Sequence, residues 1–370
     1  MMEQASVPAS ADVPSPESLA DAFYVYDVEE TDDGVRYYGE PMAEKDSVVQ
    51  QLGPLFRERG YRVQLSYETG EYVLEATERS TSIDGVPWTN VILFLATVTA
   101  TLLAGSRWYG IDVASDPAAA LGAWPFALSV MGVLAVHEFG HYVFSRYHDV
   151  QATLPYFIPL PFNAIGTLGA VIRMKDNIPS RRSLFDIGVA GPLAGIAATV
   201  VVAAVGVALP PIQAPEGSLV AQIELGYPLL IQGIAALLGE PLSYGPGQMV
   251  NPVVVGAWVG AFVTFLNLIP VGQLDGAHVV RALVGDRMGR VQQVVPLLLF
   301  GLAGYLVAFE GGRSASIWVL WGFLTLIFSR AGNARPLDES SVGRSRQAVA
   351  ALTLVLGLLC FTPIPFSFTP

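Results

Sequence analysis

One cysteine, two lysines and four histidines in 370 residues narrow the reading of this chain before any motif is considered. The single Cys360 rules out an intramolecular disulfide and, lying in an apolar stretch, reads as a small buried hydrophobe. Only Lys45 and Lys175 are lysines, and no basic stripe exists to neutralise phosphates, which argues against a nucleic-acid partner. Charge is scarce altogether: charged residues make up 14% and hydrophobic residues 52%, against roughly 25% charged residues in soluble domains. The scarcity is uneven. Residues 1–86 carry 18 of the 32 acidic side chains but 6 of the 20 basic ones, leaving 14 of each sign for the remainder, so the net charge of −12 sits in the N-terminal part. An acidic, lysine-poor chain suits a high-salt cytoplasm and points to a halophilic archaeon.

The first 20 residues lack the basic flank and apolar run of a signal peptide and are expected to form a disordered tail. Alternating stretches at 23–28 and 35–38 flank Asp32-Asp33-Gly34. An amphipathic stretch at 45–59 follows, and two more alternating stretches at 61–67 and 72–77 flank Thr69-Gly70-Glu71. Together they predict a small soluble ββαββ domain of the α+β class over residues 21–80. Long apolar segments then fall near 88–105, 122–145, 187–209, 251–270, 291–309, 314–330 and 347–366, each close to the roughly 20 residues a bilayer core requires. The fold class is therefore a polytopic α-helical membrane protein with about seven transmembrane helices. Residues 227–238 are apolar but too short to span, and read as a re-entrant or interfacial piece.

Orientation follows from arginine. With the N-terminal domain in the cytoplasm, the inside loops hold Arg146, Arg173, Lys175, Arg181, Arg182, Arg281, Arg287, Arg290, Arg330, Arg335, Arg344 and Arg346, and the outside loops hold Arg107 and Arg313. Twelve against two sets a multi-pass cell-membrane protein with a cytoplasmic N-terminus and an external C-terminus.

Within the second apolar segment stands His137-Glu138-Phe139-Gly140-His141, preceded from 124 to 136 by no charged residue. Positions i and i+4 share a helix face, so both imidazoles can reach one Zn²⁺ while Glu138 lies beside the reacting water as a general base. An unpaired carboxylate in a membrane helix costs several kcal/mol, so its presence argues for function. Two histidines leave a catalytic zinc one protein ligand short. Asp275, at the end of the fourth apolar segment, reaches the depth expected for His141. Of the two other histidines, His278 reads as an outer partner of the site or a surface residue, and His148 as an interfacial loop residue.

The pair of motifs, His-Glu-Phe-Gly-His and the run Asn267-Leu268-Ile269-Pro270-Val271-Gly272-Gln273-Leu274-Asp275-Gly276, resembles the HExxH and NxxP…LDG signatures of site-2 proteases, the intramembrane zinc metalloproteases. The resemblance extends over 87–285, including Gly166-Thr167-Leu168-Gly169-Ala170 and Phe185-Asp186-Ile187-Gly188-Val189-Ala190-Gly191-Pro192. It implies that Asp275 is the third zinc ligand beside His137 and His141. It also implies that the substrates are single-span membrane proteins met in the lipid bilayer, as in regulated intramembrane proteolysis. The outside stretch 210–250 leaves no room for a PDZ insert, nor does 286–370, read as additional transmembrane helices, leave room for a CBS pair. The Asn267 amide can hold the scissile carbonyl or the oxyanion, or simply make a polar contact between helices. The apolar, proline-rich 154–162 is expected to dip into the membrane, so that Gly166, Thr167, Leu168 and Gly169 offer a strand edge to an unwound substrate, or plug the structure without touching it. Two other classes stay open: an ion-coupled secondary transporter, which would show related repeats in both halves, and a non-catalytic membrane scaffold, against which Glu138 argues.

Overall fold

The computed structural model describes residues 12–79, 85–215, 219–330, 332 and 334–368. Of the expected N-terminal tail, residues 1–11 lie outside this set. Residues 12–20 lie against the sheet that follows: α1 (Pro16–Leu19) forms one helical turn, Leu19 is fully buried, and Tyr37 donates its hydroxyl to the Pro14 carbonyl at 2.8 Å.

Strands β1 (Phe23–Thr31), β2 (Gly34–Pro41), β3 (Tyr61–Glu68) and β4 (Glu71–Glu78) form one antiparallel sheet in the order β1-β2-β4-β3, with α2 (Lys45–Glu58) across one face. The turn between β3 and β4 places both Thr69 and Gly70 at positive φ, the two-residue hairpin geometry that matches strand twist. Val48, Leu52 and Phe56 recur every four residues on α2 and are buried against the sheet, where the Phe56 ring meets Tyr37 edge-on at 5.9 Å.

Among the described residues, four helical stretches are long and apolar enough to cross a membrane by length and composition: Trp88–Tyr109, Pro117–Tyr147, Arg181–Ala208 and Asp275–Phe309. They contain α3 (Trp88–Tyr109), α4 (Trp124–Tyr147), α5 (Arg181–Ala208) and the consecutive α8 (Asp275–Val284) and α9 (Met288–Phe309). Between α4 and α5 lies the hairpin of β5 (Tyr156–Leu160) and β6 (Gly166–Val171). After α5 come β7 (Ile212–Gln213), β8 (Ile223–Leu225), α6 (Leu229–Leu238), β9 (Gln248–Met249) and α7 (Val253–Asn267). The chain closes with α10 (Ala315–Arg330), α11 (Arg344–Leu359) and β10 (Phe366–Phe368), the last pairing with β8.

The apolar segment expected at 251–270 yields only the 15-residue α7, because Pro252 precedes it and Pro270 bars its continuation. Its shortness matches its position: nearly every residue of α7 is buried, among α4, α5 and the Trp318 ring of α10. The helices α4, α5 and α7 approach one another through glycine. A Cβ at Gly140 would stand 2.6 Å from the Ala190 carbonyl oxygen, and one at Gly260 would meet both Val133 and Thr199. Outward-facing positions of the other helices are apolar too, among them Ile92, Leu95, Leu298, Phe323 and Ile327, the surface that lipid as solvent demands.

Candidate metal centre

Helix α4 carries His137 and His141 one turn apart on its buried face, with Glu138 between them and also buried. The partner arrives by a break in the chain rather than by a continuous helix. α7 stops at Asn267, Pro270 has no N–H to prolong the ladder, Gly272 turns the backbone at φ +62°, and Asp275 opens α8. Gly276 lets this turn fold tightly, since a side chain there would strike the Leu268 backbone. Asp275 thereby returns to the level of Asn267 and faces α4.

Three side chains converge. Asp275 Oδ2 lies 3.1 Å from His137 Nε2, Asp275 Oδ1 lies 3.1 Å from His141 Nε2, and the two Nε2 atoms are 3.2 Å apart. All three groups present one ligand atom within 4.8 Å of the others. His141 directs Nδ1 at the Ile187 carbonyl, 2.8 Å away, and as donor there it keeps Nε2 free of a proton and fixes the ring. Two imidazole lone pairs and a carboxylate pointed at one spot in a buried site repel unless a cation lies between them. Two nitrogens and one oxygen are the donor set of a divalent zinc site that keeps an open position. The residues present therefore fit that metal.

The Asn267 amide nitrogen is 3.3 Å from His137 Nε2, at the edge of this cluster. Glu138 turns toward the hairpin, and its carboxylate lies beside the backbone amide of Ile172, the residue after β6. The register slips between Ile158 and Pro159 of β5, so Leu168 of β6 bulges outward and is exposed while Thr167 is buried and donates to the Ile158 carbonyl at 2.8 Å. Gly166, at φ +90°, presses on α3, where a Cβ would lie 2.5 Å from Thr101 Cα. Gly169 also has positive φ, with open space around it.

The two other histidines are both held by neighbours. His148 caps the end of α4: its Nε2 lies 3.0 Å from Asp186 Oδ2 and its Nδ1 3.2 Å from Ser183 Oγ, and Arg346 donates twice to the same Asp186 carboxylate. His278 is buried on α8 against Gly188.

What the sequence reading missed is the face of α5 behind the cluster. Gly188 faces His278, Gly191 faces the His141 ring, and a Cβ at Gly195 would stand 2.8 Å from His137 Nδ1. Spacings of three and four residues put these glycines on one helix face, and that stripe was the available signal.

Residues 125–307 match the family model described as Peptidase family M50. The Arabidopsis thaliana protein named "Probable zinc metalloprotease EGY1, chloroplastic" is 31% identical over 246 residues, covering 65% of this chain and 43% of that protein. The Oryza sativa subsp. indica protein named "Probable zinc metalloprotease EGY2, chloroplastic" is 30% identical over 247 residues, covering 66% of this chain and 43% of its own length. The Arabidopsis protein named "Probable zinc metallopeptidase EGY3, chloroplastic" is 28% identical over 246 residues, covering 62% and 40% respectively. The chain spans less than half the length of these relatives. It thus carries a Peptidase M50, or site-2 protease, family domain over residues 125–307 and is homologous to the EGY zinc metalloproteases.

Proposed function

We propose that this chain is an intramembrane zinc metalloendopeptidase, hydrolysing a peptide bond in or near the transmembrane segment of single-span membrane proteins. The observation that carries this reading is the convergence of His137, His141 and Asp275 beside Glu138, at a buried point between helices with apolar outer faces. A zinc ion held by those three ligands would supply Lewis acidity, lowering the pKa of water toward about 7 and polarising a carbonyl. Glu138 takes the proton from the attacking water and returns it to the nitrogen of the departing amine. Asn267 donates its amide to the carbonyl oxygen as negative charge grows there.

The substrate must be extended, because a helical peptide bond is shielded by its own ladder. β6 pairs with β5 alone among the described residues, which supports a reading in which its other edge, at Gly166, Thr167, Leu168 and Gly169, receives the unwound chain where Leu168 is exposed and space is open at Gly169. In this reading α7, α10 and α11 cross the bilayer with the four longer stretches, giving seven crossings. The soluble domain of residues 21–80 then lies in the cytoplasm of a cell with high internal salt, the protease core covers 87–285, and residues 286–370 add transmembrane helices. The ligands His137 and His141 of α4 and Asp275 of α8 converge on one buried point with Glu138 beside it, which favours hydrolysis over ion-coupled transport.

Glu138→Gln provides the test. The variant is expected to keep its zinc and fold while losing cleavage of a single-span reporter by at least about 10³-fold, within the range for loss of a general base and its electrostatics. Comparable turnover by the variant and the parent overturns the reading.

A further inference from the structure

The segment leaving β6 connects the backbone beside Glu138 to the N-terminal domain. Beyond Ile172, residues 173–177 run back beside residues 149–153, which follow α4. Thr153 donates its N–H to the Arg173 carbonyl at 2.9 Å, Lys175 donates to the Gln151 carbonyl at 2.8 Å, and Ala152 pairs with Met174 as a bridge. The β5–β6 hairpin therefore stands on a two-stranded stalk, one side of which descends directly from the helix that bears His137 and His141.

The N-terminal domain grips this stalk. Arg79 donates Nε to Asp176 Oδ2 at 2.7 Å and reaches the Asp149 carboxylate at 3.1 Å. Arg57 donates to the Asp149 carbonyl at 2.7 Å and the Asn177 carbonyl at 3.2 Å. Arg62 donates to the Lys175 carbonyl at 2.9 Å, and Asn177 returns a bond from its amide to the Val63 carbonyl at 2.8 Å. The Asp176 side chain is only 2% exposed and that of Arg79 only 9%. Burial and the neighbouring Arg79 pull Arg57 below the ordinary arginine range, against the opposing pull of Asp176 and Asp149. So buried a pair is costly to break from one side.

The other end of β6 is fixed independently, where Gly166 presses on α3. Asp176 lies four positions after Ile172, roughly 13 Å of extended chain. Movement of the stalk at Asp176 therefore reaches the backbone amide beside Glu138 with little slack.

We propose that Arg79 and Asp176 are positioning residues for peptide hydrolysis: their pair seats the N-terminal domain on the stalk, and the stalk sets the β6 edge and Ile172 against Glu138. This rests on the protease reading above. The soluble domain is then a brace for the site, and any partner that draws it off the stalk lowers the rate.

The experiment uses the 370-residue, zinc-loaded protein with Arg79→Asp, Asp176→Arg and the two combined. It reads zinc content, amide hydrogen exchange over 166–173, and kcat and KM on a single-span reporter. Each single variant is expected to keep its zinc, to exchange about tenfold faster over 166–173 and to lose about tenfold in kcat with KM within about threefold; the combined variant regains both. Arg79→Lys and Asp176→Asn serve if a charge reversal fails to fold. The lysine is expected to retain most of the protection and the asparagine to lose it. Single variants with unchanged exchange and kcat overturn the proposal, as does a zinc-loaded combined variant that regains neither. If the parent protein cleaves no reporter, the protease reading fails, and the exchange rates alone decide the coupling.

Discussion

Gly191 of α5 lies so close to His141 that one added methyl group would occupy the space of the imidazole ring. The ring is held to the same helix by its bond to the Ile187 carbonyl, one turn before Gly191, so it cannot swing away without losing its orientation. Gly191→Ala is accordingly expected to weaken zinc binding by about 10- to 100-fold, the usual cost of disturbing the groups that orient a ligand. Gly233→Ala on α6, where nothing lies within 4 Å, is the matched control and keeps its metal. Metal analysis after dialysis against a graded chelator separates the two.

The ligand set makes a direct demand. The purified protein is expected to hold about one zinc per chain, as a three-ligand site with one open position would. His141→Ala and Asp275→Ala each lose most of it. Full retention by either variant removes that residue from the ligand set.

Asn267 separates binding from chemistry. Asn267→Ala is expected to lower kcat by about 10²-fold with zinc unchanged, the effect of removing one donor to a developing oxyanion. A variant that cleaves at the parent rate leaves Asn267 as a contact between helices.

Topology is open to thiol labelling, because the native Cys360 is fully buried. A cysteine at Ser341 is expected to resist an impermeant reagent in whole cells, and one at Glu240 to react, both positions being exposed. The reverse pattern inverts the orientation and places the metal centre nearer the outer face.

Local spacing made much of this legible in advance. His137 and His141 share a face because they are four residues apart, and the strands 23–31 and 61–68 alternate because one side meets α2. Thr69-Gly70 could be read as a turn for the same reason, since the geometry is contained in the residues themselves. Whatever depends on a distant partner was hidden. The apolar run at 251–270 gives no hint that its helix ends at Asn267 until Pro270 is weighed against the burial of α7. His148 could not be assigned to Asp186, 38 residues away, nor Arg79 to Asp176, 97 residues away. Gly188, Gly191 and Gly195 look like ordinary small residues of a membrane helix until the histidines they accommodate are placed opposite them.

The arginines at the stalk also give the N-terminal domain a built-in compass. Of the six basic side chains in residues 1–86, three, Arg57, Arg62 and Arg79, are spent on the contact with the stalk, while the 18 acidic ones leave the rest of the domain strongly negative. With those guanidiniums turned onto Asp149, Asp176 and the carbonyls of the stalk, the basic side of the domain is taken up by the contact and the acidic side chains are left to the rest of its surface. The contact therefore has a polarity: the domain turned end for end would bring carboxylates against Asp149 and Asp176 and be repelled at close range.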